Sequence, residues 1–291
     1  MLYTLENEFV KLTISAKGAE AHSILGKKEG TEFLWNGNPV FWQNRAPVLF
    51  PIVGRLVDGT YRIGDKEYKL GGHGFAKDME FSVIKQSDSF IKFQLAADEE
   101  TRAVYPFDFL LCISYELKNN AITVKYDVKN CGNEEMLFTI GAHPGFMCPL
   151  NKEEKFSDYY FEFSEAETAD LLIVRPEGFF GHELKPFLKN EKTFDLSYDL
   201  FIPDALVFKN LKSDTVYLKS KNHNKHVKFE FPGFTYLGIW TRNNAPYVCI
   251  EPWMSLGDYY DFNGEFKDKP GMLTLKPSEE FSISHIITVV E

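Results

Sequence analysis

Five short segments place a chemically useful polar side chain inside apolar surroundings rich in glycine or proline. They carry Arg55 (PIVGRL), His73 (LGGHGF), His143 (GAHPGF), Asp204 (PDALVF) and Glu251 (CIEPW). Near neutral pH an imidazole can donate a proton while a carboxylate accepts one. Arginine and a second carboxylate can hold hydroxyl groups through charge-assisted hydrogen bonds. These residue types therefore allow acid–base chemistry on a ligand that carries hydroxyl groups.

The neighbouring residues restrict the backbone at each of these positions. His143 and Glu251 each precede a proline, which excludes the helical region for the preceding residue and favours an extended one. Asp204 follows Pro203, whose φ is fixed by its ring. His73 stands between glycines, where the missing Cβ atoms let a ligand approach the backbone. Rigid segments of this kind are suited to holding functional groups in place.

Each segment also has an ordinary structural interpretation. His73 can be a turn or core residue, Arg55 an ion-pair partner, Glu251 an edge-strand carboxylate and Asp204 a turn former. The other histidines lie in charged or strand-like surroundings, and we expect them at the surface or hydrogen-bonded in the core: His22, His182, His223, His226 and His285.

Metal binding is the main competing use of His73, His143, Asp204 and Glu251. The sequence contains no HxH, HxxxH or HExxH spacing, so a metal site would have to be assembled from remote strands. It also lacks the GxSxG turn of many serine hydrolases. The glycine-rich Gly71–Gly74 segment has neither the Lys-Ser/Thr of a phosphate loop nor dinucleotide-fingerprint spacing. We expect no metal and no cofactor.

Apolar and polar residues alternate along most of the chain, as in half-buried strands. Ile122, Val124, Tyr126 and Val128 alternate with polar residues before a turn at Gly132. The same pattern recurs over residues 81–83, 91–95, 112–117, 161–163, 216–218, 227–231 and 281–287. Only residues 99–105 and 258–262 allow one or two helical turns. The pattern predicts an all-β protein.

No proline-, glycine- or serine-rich linker and no internal repeat divides the chain. We therefore expect a single domain over residues 1–291, built as a large antiparallel β-sandwich with few short helices. The charged stretch at residues 151–158 is too short for a linker and is expected to be a loop. The 27 Phe, 14 Tyr and 4 Trp suit pleated, half-buried surfaces.

Composition excludes several kinds of partner. The formal net charge of −10 argues against nucleic acid and against an anionic membrane surface, since both need clustered basic residues. No apolar stretch approaches the roughly 20 residues of a membrane span, and the amino terminus does not resemble a secretory signal. The 4 cysteines are scattered without a CxxC pair. We expect reduced thiols and a cytoplasmic location.

Taken together and in this order, the five segments resemble the aldose 1-epimerase (galactose mutarotase) family. The resemblance includes the strand at residues 8–15, the stretch 35–51 and the carboxy-terminal LTLKPSEEF. It is strongest to the LacX-like branch found in bacterial lactose operons. It implies a β-sandwich of many strands and a cofactor-free isomerase that interconverts the α and β anomers of an aldohexose.

The resemblance also implies a role for each site residue. His143 corresponds to the general acid that protonates the sugar ring oxygen, and Glu251 to the general base at the anomeric hydroxyl. Arg55, His73 and Asp204 correspond to sugar-binding residues, and Trp240 to an aromatic residue of the pocket wall. A nearby carboxylate such as Asp204 is expected to favour the charged form of the catalytic imidazole.

The sugar is left open at this point. Well-studied galactose mutarotases carry Asn-Arg after the glycine–arginine segment, whereas Leu56 follows Arg55 here, so galactose is not implied. Glucose, galactose, another aldose and a phosphorylated hexose all fit. Two other functions also stay open: a sugar-binding or sensing protein without catalysis, and a metal-dependent, cupin-like isomerase.

Overall fold

The computed structural model describes residues 1–291. It contains 22 β-strands, one short α-helix and five 3₁₀ helices. The strands are β1 Leu2–Glu6, β2 Val10–Ser15, β3 Ala21–Gly26, β4 Val48–Leu49, β5 Thr60–Ile63, β6 Lys66–Lys69, β7 Ser82–Gln86, β8 Phe90–Ala96, β9 Phe109–Lys118, β10 Ala121–Asn130, β11 Met136–Phe138, β12 Gly141–Ala142, β13 Gly145–Met147, β14 Tyr159–Val174, β15 Phe180–Asp195, β16 Leu206–Lys209, β17 Thr215–Ser220, β18 His226–Glu230, β19 Tyr236–Trp240, β20 Tyr247–Trp253, β21 Leu273–Leu275 and β22 Glu280–Val290. The helix is α1 Glu99–Val104, and the 3₁₀ helices are Val57–Gly59, Ala76–Asp78, Phe156–Asp158, Tyr198–Phe201 and Phe266–Asp268.

One sheet of 15 strands dominates the molecule. Its hydrogen-bonded order is β4-β12-β20-β19-β16-β14-β17-β18-β22-β10-β9-β8-β7, with β13 also paired to β20 and β15 to β14. The three smaller sheets are β1-β2-β3, β5-β6 and β11-β21. All of these strand pairs are antiparallel. The all-β prediction is confirmed.

The alternating sequence pattern corresponds to alternating burial. On β10, Ile122, Val124, Tyr126 and Val128 are buried, while the residues between them are intermediate or exposed. This strand lies between β9 and β22 in the large sheet. One face of the strand therefore belongs to the core, as period-2 alternation requires.

Contacts between strands that are not hydrogen-bonded neighbours hold the sandwich together. Phe146 on β13 packs against Phe229 on β18 with ring centroids 6.1 Å apart. Tyr3 on β1 packs edge-on against Phe93 on β8 at 5.5 Å, which joins the three-stranded sheet to the large one. The main core cluster contains 59 buried residues, from Leu5 to Val289.

Of the two segments that allow helical turns, only the first is helical. Residues 99–104 form α1, which begins at a capping box between Asp98 and Thr101. The expectation for residues 258–262 is wrong, because this segment contains a turn but no helix. Tyr259 forms a β-bridge with Phe180, and the Asp258 backbone is hydrogen-bonded to the backbones of Arg55 and Phe180. These backbone groups are therefore not free to form the hydrogen bonds of a helix. None of the helices has the length and apolar character needed to cross a bilayer.

The charged stretch at residues 151–158 is a loop that ends in a 3₁₀ helix. Its Glu154 carboxylate accepts hydrogen bonds from the hydroxyls of Tyr159 and Ser220, both at 2.6 Å, and pairs with His223 Nε2 at 2.9 Å. These contacts lower the pKa of Glu154 to about 2 against the opposing effect of burial. The loop is thus tied to the turn between β17 and β18.

His285 differs from the hydrogen-bonded core residue we expected. It is buried on β22, its ring is stacked on Phe229 with centroids 5.0 Å apart, and its Nδ1 has no hydrogen-bond partner. Burial lowers the pKa of His285 to about 3, because the apolar surroundings disfavour the imidazolium.

We predict that His285→Phe makes folding less sensitive to acid. Below pH about 6.5, the ordinary pKa of histidine, His285 takes up a proton in the unfolded chain. In the folded chain it stays neutral down to pH about 3. One such group can lower the free energy of unfolding by up to about 1.4 kcal/mol per pH unit. Urea unfolding at several pH values between about 7.5 and 5 measures the slope. An identical slope in the variant would contradict the assignment.

Candidate active site

The imidazole of His143 and the carboxylate of Glu251 meet inside the protein. His143 Nε2 lies 3.1 Å from Glu251 Oε2, and the two residues are 8% and 1% exposed. Strand register explains why they converge. Gly141 pairs with Trp253 and Gly145 pairs with Cys249, so the segment between β12 and β13 that carries His143 runs antiparallel beside Glu251 on β20. Residues 143 and 251 are opposite each other in this register.

The backbone around His143 is fixed by hydrogen bonds on both sides. The His143 N–H donates to the Pro47 carbonyl at 3.1 Å, and the Gly145 N–H donates to the Arg45 carbonyl at 2.7 Å. The carbonyl of Pro144 accepts from the Ile250 N–H at 3.1 Å. The imidazole is therefore attached to a segment with little freedom to move.

A cavity of about 270 Å³ opens onto this pair. Small-molecule sites typically measure roughly 300–1,000 Å³, so this cavity lies at the small end of the range and suits a ligand of about monosaccharide size. All six residues that the sequence singled out line it, namely Arg55, His73, His143, Asp204, Trp240 and Glu251. The sequence analysis did not single out Trp42, Lys77 and Arg242, which also line it.

Two tryptophans form an aromatic wall around the imidazole. The Trp42 ring lies 4.7 Å from the His143 ring at 31°, and the Trp240 ring lies 5.6 Å away at 83°. Trp42 also stacks on Tyr247 at 5.6 Å. The one signal for Trp42 in the sequence was its position in an irregular stretch rich in asparagine, NGNPVFWQN. Such rings restrict the imidazole and offer apolar faces to a ligand.

His73 is held by the backbone of Gly54. Its N–H donates to the Gly54 carbonyl at 2.8 Å, and its Nδ1 accepts from the Gly54 N–H at 3.2 Å. Its φ of 64° lies in the left-handed region, which the flanking glycines help the chain to reach. Burial lowers the pKa of His73 to about 4, and the charges of Lys77 and Arg55 act in the same direction. A neutral imidazole that accepts at Nδ1 carries its proton on Nε2, so His73 is a hydrogen-bond donor.

Arg55 and Asp204 bring opposite charges to the same cavity. Arg55 is exposed, and its Nη1 donates to the Glu177 carbonyl at 3.2 Å. Asp204 Oδ1 accepts from the Ala205 N–H at 2.8 Å. Burial raises the pKa of Asp204, while this hydrogen bond and the charge of Arg55 oppose the rise.

Burial governs the electrostatics of the central pair. It raises the pKa of Glu251 well above its ordinary value, and the charge of Asp204 raises it further. It also lowers the pKa of His143 well below its ordinary value, helped by His73. The expectation that Asp204 keeps the imidazole charged is therefore wrong, because loss of hydration outweighs that attraction. Burial therefore disfavours the charged form of both groups.

A metal could be held by a different set of residues from the one we considered. The ligand atoms of His143, Cys249 and Glu251 lie within 4.8 Å of one another, whereas His73 and Asp204 are outside this group. Nitrogen, sulfur and oxygen ligands together suit a borderline-soft ion such as zinc. Such an ion would be bound by both His143 and Glu251.

We predict that the His143 imidazole stays neutral at mildly acidic pH. Free histidine titrates near pH ~6.5, but burial disfavours the imidazolium here. In an NMR titration of histidine-labelled protein, with the His143 signal assigned through His143→Asn, that signal should not shift between pH about 7.5 and 5.5. A titration midpoint near the free value would contradict the prediction.

Comparisons with known proteins identify the family of the chain. The family model for aldose 1-epimerase matches residues 1–281. A chromosomal LacX protein of Lactococcus lactis subsp. lactis is 34% identical over 299 aligned residues, covering 100% of both chains.

Two solved structures have the same fold along the chain. A galactose mutarotase related enzyme from Lactobacillus acidophilus superposes with a TM-score of 0.95 at 36% identity, covering 100% of this chain and 98% of that one. A galactose mutarotase-like protein from Lactobacillus casei superposes with a TM-score of 0.94 at 28% identity, covering 100% of both. The protein belongs to the aldose 1-epimerase family, within which it is similar to the LacX proteins.

Proposed function

We propose that the protein is an aldose 1-epimerase, or mutarotase, that interconverts the α and β anomers of an aldohexose. The observation that carries the proposal is the 3.1 Å separation of His143 Nε2 and Glu251 Oε2 at a monosaccharide-sized cavity. The ring oxygen and the hydroxyl oxygen of a cyclic sugar are bonded to the same anomeric carbon. Two polar groups 3.1 Å apart are therefore spaced to contact both oxygens at once.

Ring opening then needs one proton transfer at each oxygen. The Glu251 carboxylate removes the proton from the C1 hydroxyl, and a carbon–oxygen double bond forms at C1. The bond between C1 and the ring oxygen breaks, and its electron pair stays on that oxygen, which takes a proton from His143. Rotation about the C1–C2 bond presents the other face of the aldehyde, and the reverse transfers close the ring.

One proton must pass from Glu251 to His143 before the ring can open. Opening starts from ionised Glu251 and protonated His143, and it ends with protonated Glu251 and neutral His143. Burial favours the second form, since neither group is then charged. Because His143 Nε2 and Glu251 Oε2 lie 3.1 Å apart, the proton can pass between them as the sugar enters. No proton is gained or lost over a full cycle.

The remaining lining residues are suited to binding the sugar. Neutral His73 can donate a hydrogen bond from Nε2, and Asp204 can accept hydrogen bonds from hydroxyls. Arg55 brings a fixed positive charge and several donors. The faces of Trp42 and Trp240 can pack against the carbon–hydrogen face of a pyranose.

We predict that Glu251→Gln and His143→Asn each lower kcat by about 10²–10⁴-fold, which is the usual contribution of one positioned acid or base. Glu251→Gln is nearly isosteric, so sugar affinity should change little in that variant. His143→Asn also removes the ring against which Trp42 packs, so its sugar affinity is measured separately. Polarimetry of freshly dissolved α-D-glucose and α-D-galactose measures the rate, and quenching of tryptophan fluorescence measures binding.

Glu167→Gln is a matched control for these variants. Glu167 is also a buried carboxylate, 2% exposed, but it accepts from the Ser213 N–H and does not line the cavity. Its loss should lower stability without lowering kcat in the folded protein. Near-wild-type turnover in Glu251→Gln would show that the base has been assigned wrongly.

We predict a broad, flat pH profile of kcat/KM around neutrality. Burial opposes both the cationic form of the pair, with two protons, and the anionic form, with none. The acid limb is therefore pushed to low pH and the alkaline limb to high pH. A half-maximal point near pH ~6.5, where free histidine titrates, would contradict this account.

Two measurements separate the proposal from the other functions. In a sugar-binding or sensing protein, sugar would quench the tryptophan fluorescence, but mutarotation would not exceed the rate in buffer. A metal-dependent isomerase would contain stoichiometric metal on His143, Cys249 and Glu251 and would lose activity with a chelator. Assays with free hexoses and their 6-phosphates identify the preferred sugar.

A further inference from the structure

A buried ion pair lies directly behind the sugar-binding side of the cavity. The Lys269 ammonium donates to Asp258 Oδ1, and the two side chains are 0% and 2% exposed. Neither residue lines the cavity, and the mechanism above uses neither of them. Burial of a charged pair is unfavourable unless the pair is well hydrogen-bonded. Its position therefore invites a functional explanation.

Asp258 is bonded to two segments that reach the cavity. Its Oδ2 accepts from the Val57 N–H at 2.9 Å, and its own N–H donates to the Arg55 carbonyl at 2.8 Å. Its carbonyl accepts from the N–H of Phe180, a lining residue, at 2.9 Å. One residue thus fixes the segment carrying Arg55 and the start of β15.

The segment that carries Arg55 also contacts His73, through Gly54. Gly54 packs so closely on Gly257 that a Cβ atom at residue 54 would lie 2.5 Å from the Gly257 Cα. Gly54 in turn makes the two hydrogen bonds that hold His73, whose ring lies 5.7 Å from the His143 ring. A shift at Asp258 would therefore pass through residues 54–57 to the cavity.

The pair does not hold the acid–base residues in the same way. Glu251 is placed by its position within β20, and His143 by bonds to Pro47 and by the neighbouring strand register. Disturbing Asp258 should consequently affect the binding side of the cavity more than the reacting pair.

We propose that the Asp258–Lys269 ion pair is a positioning device that sets Arg55 and His73 at the correct distance from the reacting pair. This inference rests on the proposed function for its kinetic consequences. Removing Lys269 leaves a buried carboxylate without its counter-ion, which drives Asp258 to shift or draw in water. Arg55 and His73 then no longer meet the sugar hydroxyls in the correct geometry.

The test compares Lys269→Met, Asp258→Asn and the double variant. In Lys269→Met we expect KM to rise about tenfold or more while kcat falls less than about threefold, because misplaced binding groups can cost up to ~10²-fold. Amide hydrogen exchange over residues 54–58 should become faster. In the double variant an asparagine oxygen can still accept from the Val57 N–H with no unpaired charge nearby, so KM and exchange should return most of the way to wild type.

Glu154→Gln is the matched control, since Glu154 is a half-buried paired carboxylate whose network lies away from the cavity. It should lower the melting temperature without raising KM. An unchanged KM and unchanged exchange at residues 54–58 in Lys269→Met, with only a lower melting temperature, would overturn the inference. If Lys269→Met does not fold, Asp258→Asn is judged by the same two readouts.

Failure of the proposed function would be seen separately. In that case the wild-type protein itself shows no mutarotation, and the exchange rates over residues 54–58, together with sugar binding measured by tryptophan fluorescence, decide the positioning role. Faster exchange and weaker binding in Lys269→Met support it. Wild-type values of both contradict it.

Discussion

The 3.1 Å contact between His143 Nε2 and Glu251 Oε2 is the interaction on which the site depends. In water at neutral pH the carboxyl group would be ionised and the imidazole, with a pKa of about 6.5, mostly neutral. Inside this protein burial raises the pKa of Glu251 and lowers that of His143, so the charged form of each group is disfavoured while their polar atoms lie 3.1 Å apart. A pair of this kind can give a proton at one oxygen and take one at its neighbour, which is what opening and closing a hemiacetal ring requires.

The large sheet brings His143 and Glu251 together. β20 is buried along its whole length, and its register with β12 and β13 places residues 143 and 251 opposite each other. The loops that complete the cavity come from remote parts of the chain and are tied to the sheet by backbone hydrogen bonds. Antiparallel pairing thus supplies the rigid part of the site, and the loops supply the part that recognises the ligand.

Much of the fold could be predicted from local patterns. Alternation along residues 122–128 identified β10 because side chains on a strand point to opposite faces, and one face there is buried. The prolines after His143 and Glu251 marked segments with restricted backbones, and both residues line the cavity. The motif order pointed to the family that the comparisons show.

What could not be predicted depends on packing between distant segments. The pKa of His143 is lowered by burial among residues that are far away in sequence. The expectation that Asp204 would raise this pKa was therefore wrong. Residues 258–262 have some helical pattern, but hydrogen bonds to Arg55 and Phe180 hold their backbone elsewhere. Trp42 carried no motif, and its stacking on the imidazole is visible only in three dimensions.

A crystal structure of Glu251→Gln with a bound aldohexose would test the central claim most directly. We expect a pyranose whose C1 hydroxyl lies about 2.6–3.2 Å from the side chain at residue 251 and whose ring oxygen lies at a similar distance from His143 Nε2. A sugar bound in this cavity with its anomeric carbon turned away from both side chains would contradict it.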